Sequence, residues 1–356
     1  MSSHGFLIFW AILTGLCFFL LCALYYLIKL KKMGGLLNFS ILTVTLLILF
    51  FAGEVGFRTY DSMQHSVSFT TVPNAFRDSQ LGWTGKKVFG DPHSKKYKIL
   101  VVGDSFTDGM GVDEQSMYYE VIRKRFDAEL FVYGGAGYGN FQEYMIIDQS
   151  IDEIMPDLIV LQVTANDFVN NYWELESESA INNNHMVRPY YDKGKARYLY
   201  PGRFGKLRIF LTDHSRLFYR FFGGIDRLLS FLAARQIIYS VEAHINEKGL
   251  QFQPLEQSVL VTEELIVKLK HRIRNIPLVA FSVSPGFLAE TFEELFTRQG
   301  CGFIGNVPDV ISKAESQGAK LRMADGAHWN AKGHELAGVT LADQLNAKGY
   351  LKNTAP

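Results

Sequence analysis

A serine hydroxyl is a weak nucleophile until a base within hydrogen-bond reach takes its proton and a third group holds that base. The segment Val101-Val-Gly-Asp104-Ser105-Phe-Thr107 places a serine directly after a short apolar run. The segment Asp325-Gly-Ala-His328-Trp-Asn330 supplies both missing residue types. Asp and His three apart in one turn let a carboxylate hold an imidazole and stabilise its protonated form. Each segment alone is weak evidence. Gly-Asp-Ser is a common loop tripeptide, and Asp-x-x-His is also the pattern of an ordinary Asx turn beside a surface histidine.

Two further segments carry residues of a type that binds an oxyanion. In Gly134-Gly-Ala-Gly137-Tyr-Gly139 the glycines let backbone approach a ligand closely. The run lacks the GxGxxG spacing of a dinucleotide site. In Thr164-Ala-Asn166-Asp167 the Asn166 amide is a candidate donor, with a polar loop cap as the plainer reading. Asp104 reads as shaping its turn. His334 reads as part of the last helix, and Trp329 and Asn330 as packing and capping residues. Asp213-His214-Ser215 has the residue types of a triad, but consecutive residues cannot converge as one.

The elements that must position these residues are legible as alternation. Lys98–Gly103, Leu130–Tyr133, Leu158–Val163 and Pro277–Val283 are short apolar, β-branched runs that read as buried strands, and Ala319–Arg322 as a short fifth. Helical spacing covers Ser116–Phe126, Asn140–Glu153, Thr262–Arg274 and Gly333–Ala347. Strands alternating with helices predict parallel β-α-β units covered on both faces. Such sheets bind ligands at the carboxyl ends of their strands. All four segments fall on that edge or just before the closing helix.

That combination resembles the SGNH (GDSL-like) hydrolase superfamily, whose motif blocks carry Ser, Gly, Asn and His in this chain order. Here the blocks are Gly103-Asp104-Ser105, Gly137, Asn166-Asp167 and Asp325-x-x-His328. The wording Gly103-Asp-Ser-Phe-Thr-Asp-Gly-Met-Gly-Val112 and Gly137-Tyr-Gly looks like membrane-anchored bacterial members. The resemblance covers roughly residues 95–170 and 275–345. It implies a flavodoxin-like three-layer α/β/α fold with a parallel sheet. It also implies a catalytic triad of Ser105, His328 and Asp325, and an oxyanion hole from the Ser105 and Gly137 N–H groups and the Asn166 side chain. One position departs from the pattern: Thr164 stands where the third block usually has glycine.

The chain holds 36 Lys plus Arg and 36 Asp plus Glu among 356 residues, for a formal net charge of zero. A general nucleic-acid binder needs a basic surface, so no nucleic-acid partner is expected. Cys17, Cys22 and Cys301 form no CxxC or Cys/His ligand spacing, so neither a metal nor a disulfide framework is expected, and no cofactor.

The uncharged apolar runs Phe6–Ile28 and Leu36–Gly53 are each close to the length of a spanning helix. Lys29, Lys31 and Lys32 between them favour the cytoplasmic side. The expected organisation is a transmembrane hairpin over 1–58, a linker over 59–97, and a hydrolase-like domain over 98–350 with an insertion at about 171–256. The insertion reads as a cap, a membrane-surface element or a helical elaboration. The expected location is multi-pass in the inner membrane, with everything after about residue 58 outside the cytoplasm, on the periplasmic side.

The leading functional expectation is hydrolysis of an acyl ester, such as acetyl, on an envelope polysaccharide or lipid. An O-acetyltransferase using the same triad, supplied with acyl groups by a membrane protein partner, is the alternative. A non-catalytic binding or scaffold subunit on the same fold is the second alternative.

Overall fold

The structure is a computed structural model that describes residue 26, residues 34–64 and residues 86–351 apart from 184, 201 and 203. The chain begins with α1 (Gly34–Gln64), β1 (Lys86–Phe89), β2 (Lys98–Gly103), α2 (Ser105–Asp108), α3 (Tyr118–Phe126), β3 (Glu129–Gly134), α4 (Asn140–Ile154) and β4 (Leu158–Val163). It continues through α5 (Asp167–Asn171), α6 (Trp173–Glu178), the pair β5 (Arg188–Asp192) and β6 (Lys195–Leu199), then α7 (Gly205–His214), α8 (Arg216–Ala234) and α9 (Val241–Lys248). It closes with α10 (Gln253–Ile273), β7 (Leu278–Ser282), α11 (Phe287–Arg298), β8 (Gly302–Ile304), α12 (Val307–Ser316) and α13 (Ala331–Ala347). Helices α1, α7 and α8 group as one unit, and the other elements form a second.

The second unit is built on a six-stranded sheet in the order β1-β3-β2-β4-β7-β8. All neighbours pair in parallel except β1, which runs antiparallel to β3. Alternate residues of a strand face opposite sides. Leu100 and Val102 therefore join one core layer with Ile147 of α4, Leu269 of α10 and Phe292 of α11. Ile99 and Val101 join the other with Ile122 of α3, Ile311 of α12 and Leu341 of α13. Both faces are covered, which is why β4 is buried along its whole length and reads as an unbroken apolar run.

Several expectations need correction. The sheet is not purely parallel, because the lead-in supplies the antiparallel edge strand β1, four residues long and opened by two lysines. Ala319–Arg322 is not the fifth strand and contributes only a bridge from Arg322 to Trp329. That place belongs to β8, three residues long and too short to leave a periodic signal. Helix α10 begins at Gln253, nine residues before the expected start. The insertion contains a hairpin, β5–β6, whose turn places Lys193 and Gly194 at φ of 46° and 85°. Positive φ at both central residues is the type I′ geometry that matches strand twist.

Of the two expected spans, Phe6–Ile28 lies outside the described residues apart from Tyr26. The other corresponds to α1. Its stretch Phe39–Tyr60 is 22 residues long, with mean hydropathy 2.0 and 11% of its most apolar window buried. It does not stop at Gly53, because Glu54 and Arg58, whose charges suggested an end, pair with each other inside the helix.

Helices α3 and α13 pack closely at Gly338, where a Cβ would lie 2.6 Å from the Tyr118 carbonyl and 2.8 Å from Val121 Cβ. Alanine would gain about 0.5–1 kcal/mol of helix propensity. Overpacking against a backbone atom costs roughly 1–3 kcal/mol, so the loss wins. Gly338→Ala is expected to lower the thermal unfolding midpoint, read by circular dichroism.

Candidate active site

Ser105 is set by a tight turn at the end of β2. A Cβ at Gly103 would collide with the Thr107 hydroxyl and the Gln162 side chain, so glycine is what lets the turn close. Asp104 caps α2 by accepting from the Phe106 N–H at 3.0 Å. As first residue of α2, Ser105 contributes one of the N–H groups that have no intrahelical acceptor. Gln162, the polar residue inside β4, staples this turn to the neighbouring strand. Its Oε1 accepts from the Asp104 N–H and the Thr107 hydroxyl, both at 3.0 Å. Its Nε2 donates to Thr164 Oγ1 at 2.7 Å. Thr164, the departure from the block pattern, is thereby a partner in the staple.

The His328 segment is held as firmly. Asp325 Oδ1 accepts from the N–H groups of Ala327 and His328 at 2.9 and 3.1 Å, while Oδ2 bonds His328 Nδ1 at 2.6 Å. Asp325 thus closes an Asx turn with one carboxylate oxygen and holds the His328 ring with the other. His328 Nε2 lies 2.9 Å from Ser105 Oγ. Phe106 packs against the His328 ring at 5.1 Å and edge-on to the buried Trp329 at 4.8 Å. Asn330 Oδ1 caps α13 through the Lys332 and Gly333 N–H groups. Burial acts to raise the Asp325 carboxyl, but the His328 hydrogen bond and the two N–H donors outweigh it and hold it below the usual range.

The strand order places this chain of hydrogen bonds where ligands bind. From β2 the chain goes to β3 on one side, then crosses to β4 on the other. The carboxyl end of β2 is therefore the topological switch point. Gly137 lies on the loop after β3 and Asn166 on the loop after β4, flanking Ser105 in strand order. Gly137 has φ of 75°, a conformation glycine adopts without penalty. Asn166 Nδ2 donates to Asn170 Oδ1 at 3.0 Å. Ser105, His328 and Asp325 are joined by side-chain hydrogen bonds; none of the described hydrogen bonds joins Gly137 or Asn166 to them.

Residues that sequence reasoning missed support the glycine loop. Arg188, 1% exposed, pairs with the fully buried Glu176 at 2.9 Å and donates to the Gly137 carbonyl. Gln142 accepts from the Gly139 N–H at 2.8 Å and donates to the Pro189 carbonyl at 2.8 Å. Strand β5 thus grips the loop at two points. Gln162 was detectable as a polar residue within an apolar strand. Arg188 carried no local signal, since its partners are distant in sequence.

Behind Ser105 lies a cluster of fully buried acids. Asn140 Nδ2 donates to Glu143 Oε2 at 2.9 Å and to Asp167 Oδ2 at 3.3 Å, and the Thr164 N–H donates to Asp167 at 2.9 Å. Burial pushes the Glu143 carboxyl up to about 8, opposed by the Asn140 hydrogen bond and reinforced by the Asp104 charge. Burial, with the charges of Glu143 and Asp104, raises Asp167 well above the carboxylate range. Burial also raises Asp104, against its hydrogen bonds. Among the described residues no group of three or more His, Cys, Asp or Glu is placed to hold a metal ion.

No protein-family model matches the chain, and no curated protein matches it. Solved structures similar to it include a member of the lipolytic G-D-S-L family from Veillonella parvula, 12% identical, covering 69% of this chain and 97% of that one with a TM-score of 0.39. A lipase/acylhydrolase from Enterococcus faecalis is 12% identical, covering 73% of this chain and 100% of that one with a TM-score of 0.40. A psychrotrophic esterase from Pseudoalteromonas is 12% identical, covering 70% and 97% with a TM-score of 0.38.

The raised acids bind protons in the folded state that the unfolded chain releases near its ordinary glutamate value of about 4.3. Their contribution to stability is complete below that value and is lost as pH rises toward the folded value. The thermal midpoint of the protein is expected to fall between about pH 5 and about pH 8. In Glu143→Gln, which removes one titrating group, that fall is expected to be smaller.

Proposed function

We propose that this chain is a membrane-anchored serine esterase of SGNH type that cleaves an acyl ester on an envelope polysaccharide or lipid outside the cytoplasm. The observation that carries the reading is the continuous hydrogen-bonded chain Ser105–His328–Asp325 at the carboxyl edge of the sheet. Ser105 Oγ attacks the ester carbonyl while His328 Nε2 takes its proton. Asp325, kept ionised, orients the ring through Nδ1 and stabilises the imidazolium. The tetrahedral oxyanion is met by the Ser105 and Gly137 N–H groups and Asn166 Nδ2. As the intermediate collapses, His328 returns the proton to the departing alcohol. A water, deprotonated by His328 in turn, then releases the acid and restores Ser105. Acyl transfer to a sugar hydroxyl would share the acyl-enzyme and differ only in the acceptor.

In this reading the anchor is α1, and the lysines at 29, 31 and 32 support an extracytoplasmic location for the residues that follow it. Arg188 acts as a positioning residue, because its hold on the Gly137 carbonyl orients the peptide that follows the Gly137 N–H donor's own residue and fixes the loop.

A fluorophosphonate probe is expected to label the wild-type protein and not Ser105→Ala; a folded wild-type protein that resists labelling would refute the assignment. On short acyl esters Ser105→Ala is expected to abolish turnover. Asn166→Ala is expected to keep a trace, since one oxyanion donor is worth roughly 10²–10³-fold in kcat. Arg188→Lys keeps a charge beside Glu176 but loses the planar fork that spans both partners. It is expected to lower kcat by about 10- to 100-fold with KM little changed, as a slightly misplaced donor would. Measuring released against transferred acetate on an acetylated glycan identifies the acceptor.

A further inference from the structure

Helices α7 and α8 present apolar side chains that no core claims. On α8, Phe221, Ile225, Leu228 and Leu232 recur at i, i+4, i+7 and i+11, forming one stripe that begins beyond Leu217, which packs on Gly53 of α1. Within that helix Phe221 is 57% and Leu228 56% exposed, and Leu207 on α7 is 55% exposed. Arg216, Arg220 and Arg227 lie together on another flank of α8, about 120° round the helix from the stripe. Residues 205–235 hold six Lys or Arg against two Asp, an excess of four positive charges. The two helices are tied together by the Arg208–Asp226 ion pair and by Arg208 over the Phe222 ring at 4.9 Å.

This pair is clasped to one end of α1. Glu54, fully buried, accepts from Ser215 Oγ at 2.8 Å and from the Arg216 and Leu217 N–H groups at 3.0 Å. A carboxylate is thereby placed on the positive N-terminus of α8. Arg58 donates to Glu54 at 2.6 Å and to the His214 carbonyl at 3.1 Å. Phe218 packs on Phe50 at 5.6 Å, and Arg220 sits over the rings of Phe57 and Tyr60 at 5.1 and 5.2 Å. Except for Phe50, these α1 residues lie in the last seven positions of the apolar stretch that ends at Tyr60. At 1.5 Å per residue that stretch spans about 33 Å, close to the hydrocarbon thickness of a bilayer.

We infer that the α7–α8 pair is seated in the membrane interface, its apolar stripe in the acyl-chain boundary and its arginines on anionic headgroups. The occupant of the exposed face is thus an anionic bilayer surface. Two observations select it: the face is continuous with the apolar stretch of α1 at the point where that helix leaves the lipid, and its charge is complementary to anionic lipid. An amphipathic helix with arginines on one flank and Leu and Phe on the other lies in the plane of the interface. The inference rests on the reading of α1 as a spanning helix.

The test uses the full chain with Cys17, Cys22 and Cys301 replaced by alanine, reconstituted in vesicles of phosphatidylcholine and phosphatidylglycerol. A fluorophore is attached at Phe221→Cys, Leu228→Cys or Leu46→Cys, and its emission is compared in vesicles with and without brominated acyl chains. The expected result is loss of emission at 221 and 228 with lipid brominated near the headgroup, and at 46 with lipid brominated deep in the chain. Quenching at 46 with none at 221 or 228 would overturn the inference and leave the span intact. No quenching at any position would remove both. Disulfide cross-linking between copies at 228 without lipid quenching would also overturn it, and would assign the face to a second copy of the chain.

Discussion

The hydrogen bond between His328 Nε2 and Ser105 Oγ joins residues 223 positions apart, and much of the second unit serves to hold its two ends in register. Neither end is fixed by its own loop alone. Ser105 is placed because Gln162 of the adjacent strand pins the Asp104 N–H and the Thr107 hydroxyl. His328 is placed because Asp325 folds its own turn and orients the ring at once, while Phe106 and Trp329 pack beside it. Phe106 follows the serine directly and contacts the histidine ring, so the two ends of this hydrogen bond share one hydrophobic wedge.

The polar layer behind the serine is costly in an interior this dry. A buried carboxyl needs hydrogen bonds or a proton; Asp104, Glu143 and Asp167 all accept hydrogen bonds, and burial shifts each of them toward the protonated form. Asn140 bridges two of these acids and is itself tethered through Asn171 to Thr262 of α10. Such a network ties α4, α5 and α10 together directly beneath the loops that carry Gly137 and Asn166.

The first unit turns on a different carboxylate. Glu54 lies within an apolar helix, where an unpaired charge would be expensive, and four donors from Arg58 and the start of α8 satisfy it. The same contact caps α8. One residue therefore solves two electrostatic problems, and it explains why a charge-bearing segment continues as helix to Gln64.

By itself the sequence determined the residue types, their order and the strands that carry them. β2, β4 and β7 were legible because strands buried on both faces must be apolar throughout, and Gly103 and Asn330 because turns and caps demand particular side chains. The three-residue β8, the edge strand β1 and the β5–β6 hairpin were not, since short or half-polar strands owe their existence to neighbours. Nor was the role of Arg188, whose partners Glu176 and Gly137 meet it only after folding. Tertiary structure alone decided that β3 and β4 flank β2, which puts Ser105 at a switch point. It alone brought His328 to within 2.9 Å of Ser105. Both depend on strand order and long-range packing, and neither leaves a periodic trace in the chain.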